Sequence, residues 1–360
     1  MLRTLLLLSL ACSGCLPVHA RAMPPPSSQE SRVEAAMALP DELRQALAAL
    51  ELDHGGISEL DRVRRLFEFM VAEDGLALRY QEQPTYDIAE SYARREVNCL
   101  SFTMMFIALA REIGIDAYAQ ASKDALAMRV IDDTLSRAKH VKAGIDITGA
   151  HYTVDVGWRS VVVERRPQRI SDAQLVALLH SNNAVERLQR GDTTGATREI
   201  TAALALDQAS ATIRSNAGVV HRRAGRREAA EQAYLHALDL EPDHIAALSN
   251  LVGLYRAGGA TGLANRYDRR LKRVQASDPF SQFLEAQEFM ELGAYGEAVS
   301  RYKRAIRLLP NQPMFHFSLA DAYRKLGKDR AAQRAHEHAL SLEQRRYSQR
   351  SIPAAGPGSG

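Results

Sequence analysis

Three side chains of this 360-residue chain could together perform nucleophilic chemistry: Cys99, His140 and Asp155. Two of the three cysteines, Cys12 and Cys15, fall in an apolar leader. Removal of that leader at Ala20 leaves Cys99 alone, and an exported chain has no disulfide use for a lone thiol. A single cysteine can equally be a small buried filler, so its neighbours decide. Cys99 opens a run, residues 98–114, that is apolar on nearly every side and reads as a helix buried all round. Asn98 is a natural N-cap and Gly114 a natural stop, which puts the sulfur in the first helical turn. Free backbone N–H groups and the positive dipole end stabilise a thiolate there, and the same groups can receive an oxyanion.

A thiolate nucleophile needs a base, and the base needs a group to orient it. Strand-like pieces follow at residues 117–120 and 128–131. Residues 139–145 and 150–156 then read as a hairpin around a turn at 146–149. Pairing Ile145 with Ala150 puts His140 opposite Asp155, on one face with Cβ atoms ~5 Å apart. Asp155 then accepts from one imidazole nitrogen and leaves the other for Cys99. His151 is the rival base, but it precedes Asp155 on the same strand by ~13 Å at strand rise, out of that carboxylate's reach. A metal reading of His140, His151 and Asp155 matches no zinc spacing, and no cofactor is expected.

The rest of the chain must hold these groups. A net charge of +3, with 46% hydrophobic and 25% charged residues, excludes a strongly basic nucleic-acid binder and an acidic disordered chain. With one tryptophan and no long apolar run after residue 20, a polytopic membrane protein is excluded as well. Residues 1–20 read as a signal peptide. Cleavage after Ala20 and a lipoprotein box ending at Cys12 or Cys15 both fit, so the membrane contact considered is a lipid anchor at the N-terminus. Either route places the protein in the periplasm or cell envelope of a bacterium, with residues 21–40 as a flexible tether.

From residue 172 onward the pattern is helical and repeats. Gly191, Gly225, Gly259, Gly293 and Gly327 stand at intervals of 34 residues. Ala196, Ala230, Ala264, Ala298 and Ala332 follow in the same register, as do Ala203, Ala237, Leu271, Ala305 and Ala339. This is the tetratricopeptide (TPR) period, with small residues where paired helices cross and glycine at the turn between them. Each pair buries its apolar face only by stacking, so the array winds into a superhelix with a concave groove that fits a peptide or protein partner. One groove position reads Asn182, Asn216, Asn250, Leu284 and Ser318. The three asparagines resemble a ladder that holds a peptide backbone, since an amide both donates and accepts. Local tolerance for asparagine is the competing explanation. Phe280, Phe283, Met314 and Phe317 either pack on a neighbour or line an apolar pocket.

Cys99 at a buried helix start, then His140 and Asp155 on adjoining strands, resembles the transglutaminase-like cysteine-protease superfamily. Asn98-Cys99-Leu100-Ser101-Phe102, His140-Val141, Thr153-Val154-Asp155-Val156 and Asn182-Asn183 further resemble an exported bacterial family that joins such a core to C-terminal TPR repeats. That resemblance runs from about residue 60 to residue 342. It implies an α+β papain/transglutaminase-like core over residues 41–168 and an all-α TPR superhelix of five repeats over 170–345, before a disordered tail over 346–360. It also implies acyl transfer, with Cys99 attacking an amide carbonyl, His140 protonating the leaving amine and Asp155 holding the imidazole tautomer. Transglutaminases proper carry a tryptophan upstream of the cysteine, whereas Trp158 lies after the aspartate, and no calcium-ligand spacing is present. Hydrolysis is therefore expected over cross-linking. A second oxyanion donor is unassigned among Gln81, Gln83 and Tyr92. The alternative is a TPR adaptor whose core is catalytically silent.

Overall fold

A computed structural model describes residues 29–52, 56–131, 134–156, 160–163 and 168–348. The leader with its competing processing sites, residues 21–28 of the tether, Trp158 and residues 349–360 of the tail lie outside the described residues.

Three helices come first: α1 (Gln29–Met37), α2 (Asp41–Ala48) and α3 (Glu59–Val71). α1 falls in the stretch read from sequence as a tether. Its Val33, Ala36 and Met37 share one face at helical spacing and pack on the core, which fastens the segment. β1 (Arg79–Tyr80) then pairs in parallel with β2 (Glu96–Val97) around α4 (Ile88–Arg94). The axis of this part is α5 (Cys99–Glu112). Phe102, Met104, Met105, Phe106, Ile107 and Leu109 of α5 are wholly buried, because a helix apolar on every side must be enclosed by other elements. Those elements include α3, α4 and an antiparallel sheet.

The sheet comprises β3 (Ala117–Ile131), β4 (Thr134–Ile147), β5 (Ala150–Asp155), β6 (Ser160–Val163) and β7 (Gln168–Ile170), in the order β6-β5-β4-β3-β7. The two pieces expected at 117–120 and 128–131 are one strand, whose register with β4 slips between Ala121 and Leu126. β4 and β5 turn through Thr148 and Gly149, with φ of +47° and +82°. Two consecutive left-handed residues make the short hairpin turn that matches the twist of the flanking strands.

Five helix pairs follow. They are α6 (Asp172–Gln189) with α7 (Thr193–Leu206), α8 (Ala211–Arg223) with α9 (Arg227–Leu240), and α10 (Ile245–Ala257) with α11 (Thr261–Ser277). α12 (Pro279–Glu291) with α13 (Tyr295–Leu308) and α14 (Pro313–Lys325) with α15 (Asp329–Ser348) complete the stack. Each 34-residue glycine lies between the helices of its pair at a φ of +67° to +79°. A Cβ at Gly225 would meet nothing within 4 Å, so only backbone strain opposes one. Gly225→Ala is accordingly expected to lower stability by about 1 kcal/mol in a denaturant titration. The alanine columns are buried as their crossing role requires, with Leu271 the large exception.

The apolar interior of the stack falls into two clusters. One runs from Ala177 to Leu271, the other from Phe283 to Ala322. In the second, Phe315 stacks on Phe283 at 5.0 Å and meets the edge of Phe280 at 5.6 Å. These rings pack on each other, with Phe283 buried and Phe280 partly buried against it. Between the clusters, Asp278 both ends α11 and caps α12.

Candidate functional site

Cys99 begins α5 and is half-buried. The Asn98 side chain accepts from the N–H groups of Leu100 and Ser101, each at 3.0 Å. The cap therefore occupies two donors that the sequence reading left for an oxyanion. Gly114, with a φ of +75°, ends the helix region as expected. Gln81, one of three residues weighed as a second donor, gives its backbone N–H to Val97 O at 2.9 Å, two residues ahead of Cys99. The Tyr92 ring lies against the Arg95 guanidinium at 4.9 Å.

His140 and Asp155 are brought together, though not by the expected pairing. The sequence reading paired Ile145 with Ala150; the observed partners are Ile147 and Ala150, and Ile145 pairs with Tyr152. The cause is the turn, which uses two residues where four were expected. A slip of two keeps every side chain on its face, because strand side chains alternate with a period of two. His140 thus becomes a diagonal neighbour of Asp155 instead of a direct one, still within side-chain reach. Its Nε2 lies 2.8 Å from Asp155 Oδ2, leaving Nδ1 for the sulfur, and Cys99 is near enough to act on the charge of the ring. Thr103, one helical turn beyond Cys99, donates to Val141 O at 3.3 Å and ties α5 to β4 beside the imidazole.

The electrostatics follow from that geometry. Burial opposes a charged imidazole, but hydrogen bonds to Asp155 and Cys99, with the charges of both, outweigh it and raise His140 from 6.5 to about 10. The Asp155 side chain is 1% exposed and that of His140 24%. The arrangement can hold an imidazolium beside a thiolate and pass a proton to a leaving group. His151 pairs instead with Asp146 across the hairpin, as the exclusion from Asp155 requires.

His140 also occupies an irregular place on its strand. Ala121 pairs with Val141 and Leu126 with Lys139, so the β3–β4 slip falls at His140 itself. Pairing with β5 runs from Ala143 to Ile147 and stops short of it. Irregularities of this kind re-aim a side chain out of the ladder.

Sequence reasoning missed Thr85 and Glu186. Asn98 donates from Nδ2 to Thr85 Oγ1 at 2.8 Å. Thr85 in turn donates its N–H and hydroxyl to Glu186 of α6 at 2.9 and 2.8 Å. The cap of the Cys99 helix is thereby fastened to the first helix of the array. No spacing rule connects positions 101 residues apart, although a glutamate amid Ala184, Val185 and Leu188 was a readable anomaly.

The asparagine column is placed differently from its expected role. Asn182 is half-buried and donates to Thr85 Oγ1 at 3.5 Å. Asn216 and Asn250 are 1% exposed, and Asn216 donates to Ser181 Oγ at 3.0 Å. Amides so enclosed do not form an open ladder for a peptide; they satisfy groups inside the fold. The column opens one period later, where Leu284 is 42% exposed. There a cavity of about 800 Å³ is lined by Leu284, Glu285, Glu288, Glu291 and Lys272.

Three segments match known repeat families. Residues 211–244 and 316–346 match families described as tetratricopeptide repeat, and residues 286–327 match one described as TPR repeat. No curated protein matches the sequence. Among solved structures, "Crystal structure of MamA" is 17% identical and covers 46% of this chain and 96% of its own, with a TM-score of 0.28. "Crystal structure of MamA protein" is 16% identical, covering 51% and 98%, at 0.28. "MamA 41-end from Desulfovibrio magneticus RS-1" is 16% identical, covering 47% and 96%, at 0.27. The C-terminal region of the chain carries TPR repeats.

Proposed function

We propose that the protein is an exported interaction protein whose TPR repeats recruit a peptide or protein partner. The observation that carries this is the stack of five helix pairs, with family matches over its second, fourth and fifth pairs. The partner seats on the open stretch of the concave face at α12, where Leu284 supplies an apolar contact and Glu288 and Glu291 are exposed carboxylates. A basic segment with an apolar anchor fits that chemistry. The test compares proteins retained from a cell-envelope extract by the full chain and by a Leu284→Arg, Glu288→Arg variant. A partner bound by the first and lost by the second is expected; equal retention sinks this seat.

A second reading is favoured by one observation, the His140 ring bonded to Asp155 with Cys99 beside it. On it, residues 41–168 form an α+β papain/transglutaminase-like core, residues 170–345 its TPR partner-recruiting arm, and Cys99, His140 and Asp155 a thiol centre. The sulfur attacks an amide carbonyl, and the C–N bond breaks as His140 protonates the amine. Water, deprotonated by His140, then hydrolyses the thioester and restores the thiol. An electrophile directed at such centres is expected to label the wild-type chain and not Cys99→Ser. Labelling that persists in Cys99→Ser excludes this reading.

A further inference from the structure

The elements that carry Cys99 and His140 are both held by the repeat array. β4, which carries His140, runs along α6, α8 and α10, the first helices of three successive pairs. First helices line the concave face of such a stack, so the β3–β4 hairpin lies in the groove. Burial along the groove column follows the hairpin: Asn216 and Asn250 are enclosed, and Leu284, one period on, is open. On the other side, Glu186 of α6 holds Thr85, and Thr85 holds the cap of the Cys99 helix. His140 itself sits at the β3–β4 slip and beyond the stretch of β4 paired with β5. Its position therefore depends on its bond to Asp155 and on what β4 rests against, namely α5 through Thr103–Val141 and the array.

We infer that the groove of the first three repeats is the seat of the chain's own β3–β4 hairpin, and that releasing the hairpin from this seat switches off the thiol centre by carrying His140 away from Cys99. The inference rests on the thiol reading above. The groove then divides by role. Its open stretch at α12 is available to a partner, and its earlier stretch is a lock on the imidazole. A partner long enough to extend from α12 toward α10 competes with the hairpin and lowers the reactivity of the sulfur.

The test uses the full chain with two readouts: amide hydrogen exchange over residues 134–141 and the alkylation rate of Cys99 at pH 7. Asn250→Arg and, separately, Asn216→Arg place a long charged side chain in the seat. Leu263→Arg, on the exposed surface of α11, adds the same charge elsewhere. The seat variants are expected to exchange faster over β4 and to alkylate about tenfold more slowly, since an isolated thiol is only a few per cent ionised at pH 7. Leu263→Arg is expected to change neither. Circular dichroism shows which variants keep the helical stack, and Asn250→Ser gives the same direction more gently if an arginine unfolds it. Unchanged exchange in a folded seat variant overturns the seat. Faster exchange with unchanged alkylation overturns the switch. A wild-type sulfur that already reacts as slowly as in His140→Ala overturns the switch through the thiol reading, and the exchange data identify which of the two failed.

Discussion

Alkylation of Cys99 at pH 7 is expected to slow by about tenfold in His140→Ala, the ratio between a paired thiolate and an isolated thiol that is only a few per cent ionised. In the wild type the rate persists well below pH 8. In the variant the rate is expected to fall away on the acid side of pH 8. Stability carries the same signature with a defined sign. The folded imidazole is raised from 6.5 to about 10 by its bonds and charges, which overcome burial. Its contribution is therefore fully present below pH 6.5 and is lost as pH rises through 10. Urea titrations between pH 6 and 10 are expected to show a decline in wild type that is smaller in His140→Ala. Equal declines, or an alkylation profile identical in both chains, would show that the ring does not pair with the sulfur.

The second large effect concerns Glu186. The carboxylate is 3% exposed and Thr85 4% exposed, so neither has water to fall back on. Glu186→Ala leaves the Thr85 N–H and hydroxyl without the acceptor they share. Each buried donor so orphaned costs about 1–3 kcal/mol, and a loss of about 3 kcal/mol overall is expected. Glu186→Gln keeps an acceptor oxygen and should lose roughly half as much. The measurement is the urea midpoint at unchanged slope. Because Thr85 also receives the Asn98 amide, Glu186→Ala is expected to disturb the start of α5, which amide exchange at Leu100 and Ser101 would report. A change under 1 kcal/mol would mean that water replaces the carboxylate, contrary to this burial.

What the sequence made legible was what local physics dictates. The glycine column is forced by a left-handed turn residue in each pair, and the alanine columns by close helix crossing. Both survive in the structure position by position. Asn98 and Gly114 were readable as the bounds of α5 for the same reason. The hairpin was readable in face and not in register. Alternation fixes which side His140 and Asp155 share, but Thr148 taking a positive φ shortens the turn, and nothing in the residue type announces it. Contacts between distant segments left the weakest trace. α1 reads as tether because Val33, Ala36 and Met37 acquire meaning only against the core. The asparagines one period apart suggested an open ladder, yet Asn216 and Asn250 are enclosed, which local spacing does not announce. Thr85 and Glu186 belong to the same class.

The divided interior of the helix stack has a mechanical consequence. Such stacks are linear chains of neighbour couplings, and their stiffness is that of the softest joint. With one apolar cluster ending at Leu271, the next beginning at Phe283, and Asp278 alone joining the two helices between them, that joint lies between the third and fourth pairs. The last two pairs form a forearm able to flex or melt as a body while the first three stay braced on the sheet. On the reading proposed above, a partner seated beside Leu284 would lie next to this joint.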